Sequence, residues 1–507
     1  MSRSYLVLLA GAAVFTVFLF WQLPRALPLI DWGPSDFDYE EAVEEIRNHL
    51  GIHEVWEIES IHRFQKFDDS ERRRALGNGV VNRLIADGRF VFTTVKLSDG
   101  SLIRFDPKGR VSGLLIPGSQ GETIAREEVG IAIREFVAKF LEHRPDVEFE
   151  MEGREILFRQ SEYSNLSEHI RFRYSGERLT RLFFDYRRTV GSAPPPSFSK
   201  YGHVISGVAY VVLLGFCLAC FAGFLVRLKS EPEAPVTTLM LISLFVGAAA
   251  ILSFQGRVGF PYLIEIPIHA LFPFLALGLL GYGRSLDVQI QGGAGTASFI
   301  NAFQGRLSPV VYGQQLLTGA LLLPWSLGVF ALTLVVLELA APMTLLLQPT
   351  DFFLQMLQSR QPAVAGSLYF TLIAVLEEGL YRLCGALLIL RLTKRKWIAI
   401  LIPSIFYAAA HAGLSFLPPQ EPLIFKLVAC VAMGCVWGIA FFRFGFLSVL
   451  IAHYLCDLTL VGWFFQPAKD SYLTGIAIMA GILALPILIR LIRLACSRLS
   501  GPRTLRP

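Results

Sequence analysis

Three short clusters of ionisable residues stand inside long apolar runs of this 507-residue chain, and their residue types are those of a hydrolytic site. The first is Leu376-Glu377-Glu378-Gly379-Leu380-Tyr381-Arg382, in the apolar run over residues 363–390. The second is His411, in Phe406-Tyr407-Ala408-Ala409-Ala410-His411-Ala412-Gly413, and the third is His453-Tyr454-Leu455-Cys456-Asp457. Ionisable groups at membrane depth are expensive, so each cluster is a functional-site hypothesis by default. On a helix Glu378 and Arg382 stand four apart on one face, about 6 Å between Cβ atoms, and can neutralise each other. Glu377 is turned roughly 100° away and keeps its carboxylate free. His453 and Asp457 are likewise one turn apart. Together these residues supply what hydrolysis requires. A desolvated carboxylate can take a proton from water, one His can position or share that proton, and a second His can donate to a developing oxyanion. Intramembrane polar clusters also build hydrogen-bond networks and ion paths; catalysis is the preferred reading of this set.

The rest of the chain must place these clusters inside a bilayer, and its composition fits that task. It is 53% hydrophobic and 17% charged, too apolar for an ordinary soluble enzyme. The formal net charge of +5 is spread over loops rather than gathered in a patch, so nucleic acid is not an expected partner. Apolar runs at about 5–23, 204–226, 236–254, 266–282, 316–340, 363–390, 397–416, 423–442, 446–465 and 473–494 each approach the ~20 residues a span needs. The expected fold class is therefore an α-helical polytopic membrane protein of about ten transmembrane helices. Residues 1–25 read as an uncleaved anchor rather than a signal peptide, because the run ends in bulky Phe20 and Trp21. Basic residues mark alternate loops (Arg227 and Lys229; Arg284 and Arg306; Arg391, Lys394, Arg395 and Lys396; Arg443; the tail), whereas Lys426 falls at the edge of an intervening loop. That pattern puts the N- and C-termini in the cytoplasm, with residues 496–507 a basic tail, and fits a bacterial plasma membrane. His269 and Glu338 carry no motif and read as helix-end or packing residues, and Pro403 is a kink candidate.

Residues 29–190 differ in character and form an expected extracytoplasmic α+β domain after the first helix. An amphipathic helix over residues 37–50 carries Ala42, Val43, Ile46 and Leu50 on one face. Strand-like segments follow at 55–67, 80–95 and 102–115, with turn signals at Asp99-Gly100 and Asp106-Pro107-Lys108-Gly109. The pattern then repeats: a helix over 123–143, then strands at 155–159, 169–174 and 179–186. This suggests a duplicated helix-and-sheet module, distantly resembling the PepSY-type domains of bacterial envelope proteins, which binds a ligand or regulates. The module has no cysteine and no nucleophile or metal spacing. Pro194-Pro195-Pro196 lies in a linker, 191–202, and transmembrane helices fill 203–295. Cys217 and Cys220 form a lone C-x-x-C inside an apolar run and read as packing residues.

The ordered set Glu377-Glu378-x-x-x-Arg382, Tyr407-x-x-x-His411 and His453-x-x-x-Asp457 resembles the CPBP family, also called the CAAX prenyl protease 2 or Abi family, over about residues 300–490. The candidate domain is bounded at 296–495. The resemblance implies an intramembrane endopeptidase acting on a membrane-associated protein or peptide, CAAX-type or other. It implies that Glu377 and His411 activate water, that His453 and Asp457 bind the oxyanion, and that Glu378, Arg382 and Tyr407 support them. Two positions depart from the family pattern: Tyr407 stands where Phe is usual, and Asp457 where Asn is common. An ionised Asp cannot donate to an oxyanion, so Asp457 must be protonated or instead orient His453. The residues leave the cofactor open. A metal-free glutamic mechanism is slightly preferred; if Zn2+ is used, Glu377, His411 and His453 are the ligand set. The second functional reading is a non-proteolytic membrane scaffold or bacteriocin-immunity protein of the same family, and the third is a transporter.

Overall fold

In a computed structural model, the apolar runs form helices and the polar region forms an antiparallel sheet. The structure describes residues 3–26, 37–50, 56–66, 91–106, 109–116, 148–152, 155–163, 166–175, 178–188, 199–228, 235–253, 262–340, 344–345, 362–413, 420–421, 423–465 and 469–499. The helix expected over 123–143 and the start of the strand expected over 80–95 lie outside them.

After the first helix, α1 (Arg3–Ala26), comes α2 (Tyr39–His49), started by Asp38, whose carboxylate accepts the amides of Glu40 and Glu41 at 2.9 and 3.1 Å. Its buried residues are Val43 and Ile46; Ala42 and Leu50 are half-buried at the rim of the same face. The strands are β1 (Ile58–Lys66), β2 (Val91–Leu97), β3 (Leu102–Phe105), β4 (Val111–Leu115), β5 (Glu148–Glu152), β6 (Glu155–Tyr163), β7 (Leu166–Ser175) and β8 (Arg178–Arg188). They form one eight-stranded antiparallel sheet in the order β1-β2-β3-β4-β8-β7-β6-β5. Each half is a four-stranded run, and the halves join through β4 and β8, where Leu114 pairs with Leu182. A repeat expected to give two modules thus gives two halves of one sheet, because joining them leaves fewer open strand edges. Period-two alternation buries Val95 and Leu97 in β2 and Ile103 and Phe105 in β3, and Val111 and Leu114 of β4 are buried as well. The Asp99-Gly100 turn is held by Trp56, whose Nε1 donates to Asp99 at 3.0 Å, and Gly100 takes φ 84°.

The helical part consists of α3 (Ser199–Leu228), α4 (Val236–Ser253), α5 (Tyr262–Gln291), α6 (Ala294–Phe303), α7 (Pro309–Ala340), α8 (Pro362–Glu378), a π-helical segment (Gly379–Ala386), α9 (Leu387–Thr393), α10 (Lys396–Ala410), α11 (Leu423–Phe444), α12 (Phe446–Phe465) and α13 (Lys469–Leu499). Among the described residues four stretches are long and apolar enough to cross a membrane: Val204–Leu228, Pro309–Ala340, Leu423–Phe444 and Ile476–Ser497. Each expected run contains a helix, the one expected over 397–416 ending at Ala410, and ten spans go beyond the four stretches found among the described residues. Shorter apolar stretches among the described residues include Val236–Phe245 and Lys396–Ala410, and the run carrying Glu377 holds three charged residues. Outward faces bear exposed apolar residues such as Val204, Val211 and Leu339, as lipid contact demands. The protein is a mostly helical membrane protein with a sheet-rich region near its N-terminus.

Close packing positions the later helices. The indole Nε1 of Trp325 on α7 donates to the Leu8 carbonyl of α1 at 2.9 Å, over Gly11, so α1 is built into the bundle. The short α6, unexpected from the sequence, is fixed by buried Asp287, which accepts the Thr296 amide at 2.8 Å and its hydroxyl at 2.7 Å. Cys217 and Cys220 are buried thiols, and Glu338 is exposed near the end of α7. Lys426, expected at a membrane edge, is instead 1% exposed: it sits in the first turn of α11 with its side chain turned inward.

Candidate active site

Helix α8 ends at Glu378 and continues as the π-helical segment carrying Arg382. Wide π turns recur at functional sites, where the extra residue re-aims side chains. Small residues let neighbours approach here: a Cβ on Gly379 would lie 3.3 Å from Leu279, and one on Gly385 3.7 Å from Pro403. The Cys384 thiol donates to the Leu279 carbonyl of α5 at 3.1 Å, which ties the segment to the preceding helices.

On this frame Glu378 is fully buried and Arg382 is 2% exposed, with Nη1 3.4 Å from Glu378 Oε1. The pairing expected from the i,i+4 spacing is present. The same oxygen lies 2.7 Å from Nδ1 of His453, so Glu378 joins the first cluster to the third. The guanidinium sits among the rings of Tyr381, Tyr407 and Trp437, 5.5, 5.1 and 5.0 Å from their centroids. Trp437 also stacks on His453, with centroids 4.4 Å apart, and its Nε1 donates to Ser326 at 2.6 Å. One buried carboxylate, one guanidinium and one indole thereby fix the imidazole in position and orientation.

His411 ends α10, where the backbone leaves the helix at φ −86° and ψ 4°. Its Nδ1 lies 2.8 Å from the Tyr407 carbonyl, which can only accept, so Nδ1 carries the proton. In the neutral ring Nε2 then has a free lone pair, and it faces Glu377 at 3.8 Å. The Tyr407 and His411 rings are 4.1 Å apart. Tyr407 packs edge-on against Tyr381 and Trp437, each at 5.5 Å, so the tyrosine fills the place of the family's usual Phe as an aromatic prop. The turn after His411 rests on α3, where a Cβ added at Gly202 would meet the Ala412 carbonyl oxygen at 2.8 Å. Gly202→Val is accordingly expected to push the His411 turn outward and lower turnover at least about tenfold while the protein stays folded and inserted. Turnover and thermal unfolding of the purified variant check this together; wild-type turnover would separate His411 from α3.

Glu377 stands between the two histidines. Its Oε1 is 3.8 Å from His411 Nε2 and its Oε2 is 3.7 Å from His453 Nε2. These gaps are too long for direct hydrogen bonds and short enough for one water to bond to both sides. Asp457 Oδ2 lies 3.3 Å from the same Nε2 of His453. Side-chain exposure divides the cluster: Glu377 is 20% exposed and His411 and Asp457 are each 13%, against 3% for His453, 2% for Arg382 and none for Glu378. The first three form the open side and the others its buried support. Both ring nitrogens of His453 face carboxylates, and an imidazolium can donate to Glu378 and Asp457 at once. Among the described residues, no group of three or more His, Cys, Asp or Glu side chains is arranged to hold a metal ion. Nδ1 of His453 is held by Glu378 and Nδ1 of His411 by a backbone carbonyl, which leaves Nε2 of each ring as the nitrogen directed at Glu377. Glu377, His411 and His453 are the residues that would hold a zinc ion, which would supply Lewis-acid activation of water; no step is derived through one.

All seven residues singled out in the sequence meet here. Sequence reasoning missed the π-helical segment, Trp437 with Ser326, and Gly434, whose carbonyl lies 3.5 Å from Arg382 Nη2. A Trp in the middle of an apolar run, with an N–H that needs a partner, was the available signal.

Comparison with known proteins points the same way. Residues 359–459 match the Rce1-like family of type II CAAX prenyl endopeptidases. That match encloses Glu377 through Asp457 and is shorter than the 300–490 of the sequence resemblance. The chain is also 31% identical over 99 residues to the sporulation-killing factor biosynthesis protein SkfC of Bacillus subtilis (strain 168). The aligned stretch covers 19% of this chain and 19% of that relative, so the chain matches about a fifth of the length of the curated protein. No solved structure matches. The Rce1-like stretch is thus the part of the chain in which the carboxylates and histidines converge.

Proposed function

We propose that this protein is an intramembrane endopeptidase that hydrolyses a peptide bond in a membrane-associated protein or peptide. The single observation that carries the reading is the placement of Glu377 between two histidine Nε2 atoms, 3.8 and 3.7 Å away, on the open side of a buried support. Water held there loses a proton to Glu377, with the unprotonated Nε2 of His411 aligning it for attack on the scissile carbonyl. His453 donates to the oxyanion from Nε2, and the proton on Glu377 passes to the leaving amine. Asp457 acts by orienting His453 and sharing its proton, the role its 3.3 Å separation supports. Asp457→Ala is expected to lower turnover about 10²-fold, and Asp457→Asn, which keeps an oxygen and adds a donor, by no more than about tenfold. Equal losses in the two variants would remove the orienting role.

The surroundings support an apolar substrate class. An apolar cavity walled by Phe216, Tyr381, Gly385, Ile402 and Phe406 suits a lipid-modified or transmembrane peptide. The name of the Bacillus subtilis relative refers to biosynthesis of a killing factor, which makes maturation of such a factor the first natural substrate class to examine. The reading includes about ten spans in a bacterial plasma membrane with both termini cytoplasmic. It places the sheet region of residues 29–190 outside, as a binding or regulatory domain after the anchor of residues 1–25, with 296–495 as the protease domain. Reconstituting the full chain in proteoliposomes with prenylated and unmodified membrane peptides, and reading new termini by mass spectrometry, tests it. Cleavage that requires Glu377 is expected. Membrane peptides left intact in every preparation, together with an unchanged biological role for Glu377→Gln, would favour the scaffold or immunity reading. A metal assay of the same purified protein decides between a glutamic and a zinc-dependent enzyme.

A further inference from the structure

Helix α9 passes into α10 through Arg391-Leu392-Thr393-Lys394-Arg395-Lys396-Trp397. The turn is tight. Lys394 takes φ 58°, a left-handed conformation that costs a residue with a side chain, and its amide closes on the Leu390 carbonyl at 2.8 Å. Arg395 then leaves in an extended conformation, and Lys396 opens the next helix. Four cations thereby crowd one tip, and each is exposed. Arg391 is steered toward α5, where its Nη1 donates to Gln289 at 3.2 Å. Among the described residues no ion pair engages Lys394, Arg395 or Lys396, and the sequence holds no Asp or Glu between Gly379 and Gln420. On the neighbouring α5, Asp287 is buried and taken up by Thr296. Helices α10 and α11 pack closely, since a Cβ on Gly434 would meet Ser404 and one on Gly438 would meet Ile400. That register brings the Arg443 end of α11 level with the basic turn. Like charges this dense repel one another and call for a counter-charge from outside the chain.

The apolar residues beside the cations identify its source. Leu392 and Trp397 flank them and are 70% and 60% exposed. Leu401 and Ile405 follow Trp397 at four-residue intervals and are exposed as well, so the three form one apolar stripe running down α10 from the turn. A Trp at the junction of charge and hydrocarbon is typical of the membrane interface. An acidic soluble protein would meet the cations and leave the stripe bare. An amphiphile satisfies both, its phosphate on the cations and its chain along the stripe.

We propose that this turn is a docking site for an anionic phospholipid, with the phosphate on Lys394, Arg395 and Lys396 and one acyl chain along Trp397, Leu401 and Ile405. The site lies at the opposite end of α10 from His411. It rests on α9 and α10 lying in a bilayer and does not depend on the proteolytic reading.

The test places the full-length protein in nanodiscs of phosphatidylglycerol and phosphatidylcholine with matched chains. Retained lipids are counted by native mass spectrometry, and hydrogen exchange over residues 390–400 is compared with nanodiscs of phosphatidylcholine alone. Preferential retention of phosphatidylglycerol and slower exchange of that segment are expected. Each basic residue at an anionic surface contributes roughly fivefold to binding. Neutralising the turn with Lys394→Gln, Arg395→Gln and Lys396→Gln together is therefore expected to lower retained phosphatidylglycerol at least about tenfold. Neutralising the tail with Arg498→Gln, Arg503→Gln and Arg506→Gln is expected to leave the protection of 390–400 intact. Should the first variant fail to insert, Lys394→Gly suits the left-handed backbone, removes one cation and is expected to cost about fivefold. Trp397→Ser is expected to weaken retention severalfold with every charge in place, and soluble glycerol 3-phosphate is expected not to compete. Equal losses in the turn and tail variants, or exchange that ignores the lipid composition, overturn the proposal. So does protection produced by glycerol 3-phosphate, which would reduce the site to a phosphate contact, or by an acidic peptide in phosphatidylcholine nanodiscs, which would make the turn a protein-docking surface.

Discussion

Glu378→Ala is expected to destabilise the folded bundle by about 3 to 5 kcal/mol, the cost of leaving a buried charge without its partner. Glu378 is fully buried and contacts Arg382 at 3.4 Å and His453 at 2.7 Å through the same oxygen. Its loss strands the guanidinium, whose remaining neighbours are three aromatic rings and a carbonyl at 3.5 Å. The rings lessen the cost without replacing the charge. Glu378→Gln keeps the shape and one acceptor, so a smaller loss is expected, with unfolding earlier than wild type and later than Glu378→Ala. Glu377→Gln, one residue away, is expected to unfold within about 1 kcal/mol of wild type, because Glu377 is partly open and its nearest partners lie beyond hydrogen-bond reach. Thermal unfolding of the three variants in one detergent orders them. Equal losses for Glu377→Gln and Glu378→Gln would mean that the two carboxylates are not divided into a free one and a structural one.

The second large effect is on rate. Glu377→Gln removes the carboxylate that faces both His411 Nε2 and His453 Nε2, and a positioned general base contributes typically 10²–10⁴-fold. A loss of about 10³-fold or more is expected at saturating substrate, with KM changed little, since the amide keeps the shape of the acid and removes only the base. His411→Ala is expected to fall by a similar factor, and the double variant by scarcely more than either single one, because the two groups act on the same water. A double variant with the product of the two losses would mean that the residues serve separate steps.

Much of this site could be read in the sequence because its logic is local. The i,i+4 spacing of Glu378 and Arg382 and of His453 and Asp457 fixes those pairs wherever the chain is helical, and both are present. The cost of charge in an apolar run then required the three clusters to find one another. What stayed hidden was tertiary. No spacing tells that Glu378 bonds His453, 75 residues on, so a residue read only as the partner of Arg382 is the hinge of the whole cluster. The π-helical segment was equally hidden, since the residues of Gly379–Ala386 carry no signal that distinguishes a wide turn from an ordinary one. In the polar region the turn signals and the period-two alternation of β3 identified the strands. The pairing of β4 with β8 depends on long-range closure, so a repeat in sequence became halves of one sheet. The apolar runs located the helices, and four stretches among the described residues are long and apolar enough to cross unaided.

The most direct test of proteolysis at Glu377 compares the N- and C-terminal peptides of the whole membrane proteome in three strains. One carries the wild-type gene, one Glu377→Gln at matched expression, and one a deletion. A discrete set of new termini, within or beside membrane-associated segments, is expected in the wild type and absent from both of the others. Termini that persist in Glu377→Gln and vanish only in the deletion would contradict hydrolysis by this cluster and leave the protein a membrane scaffold.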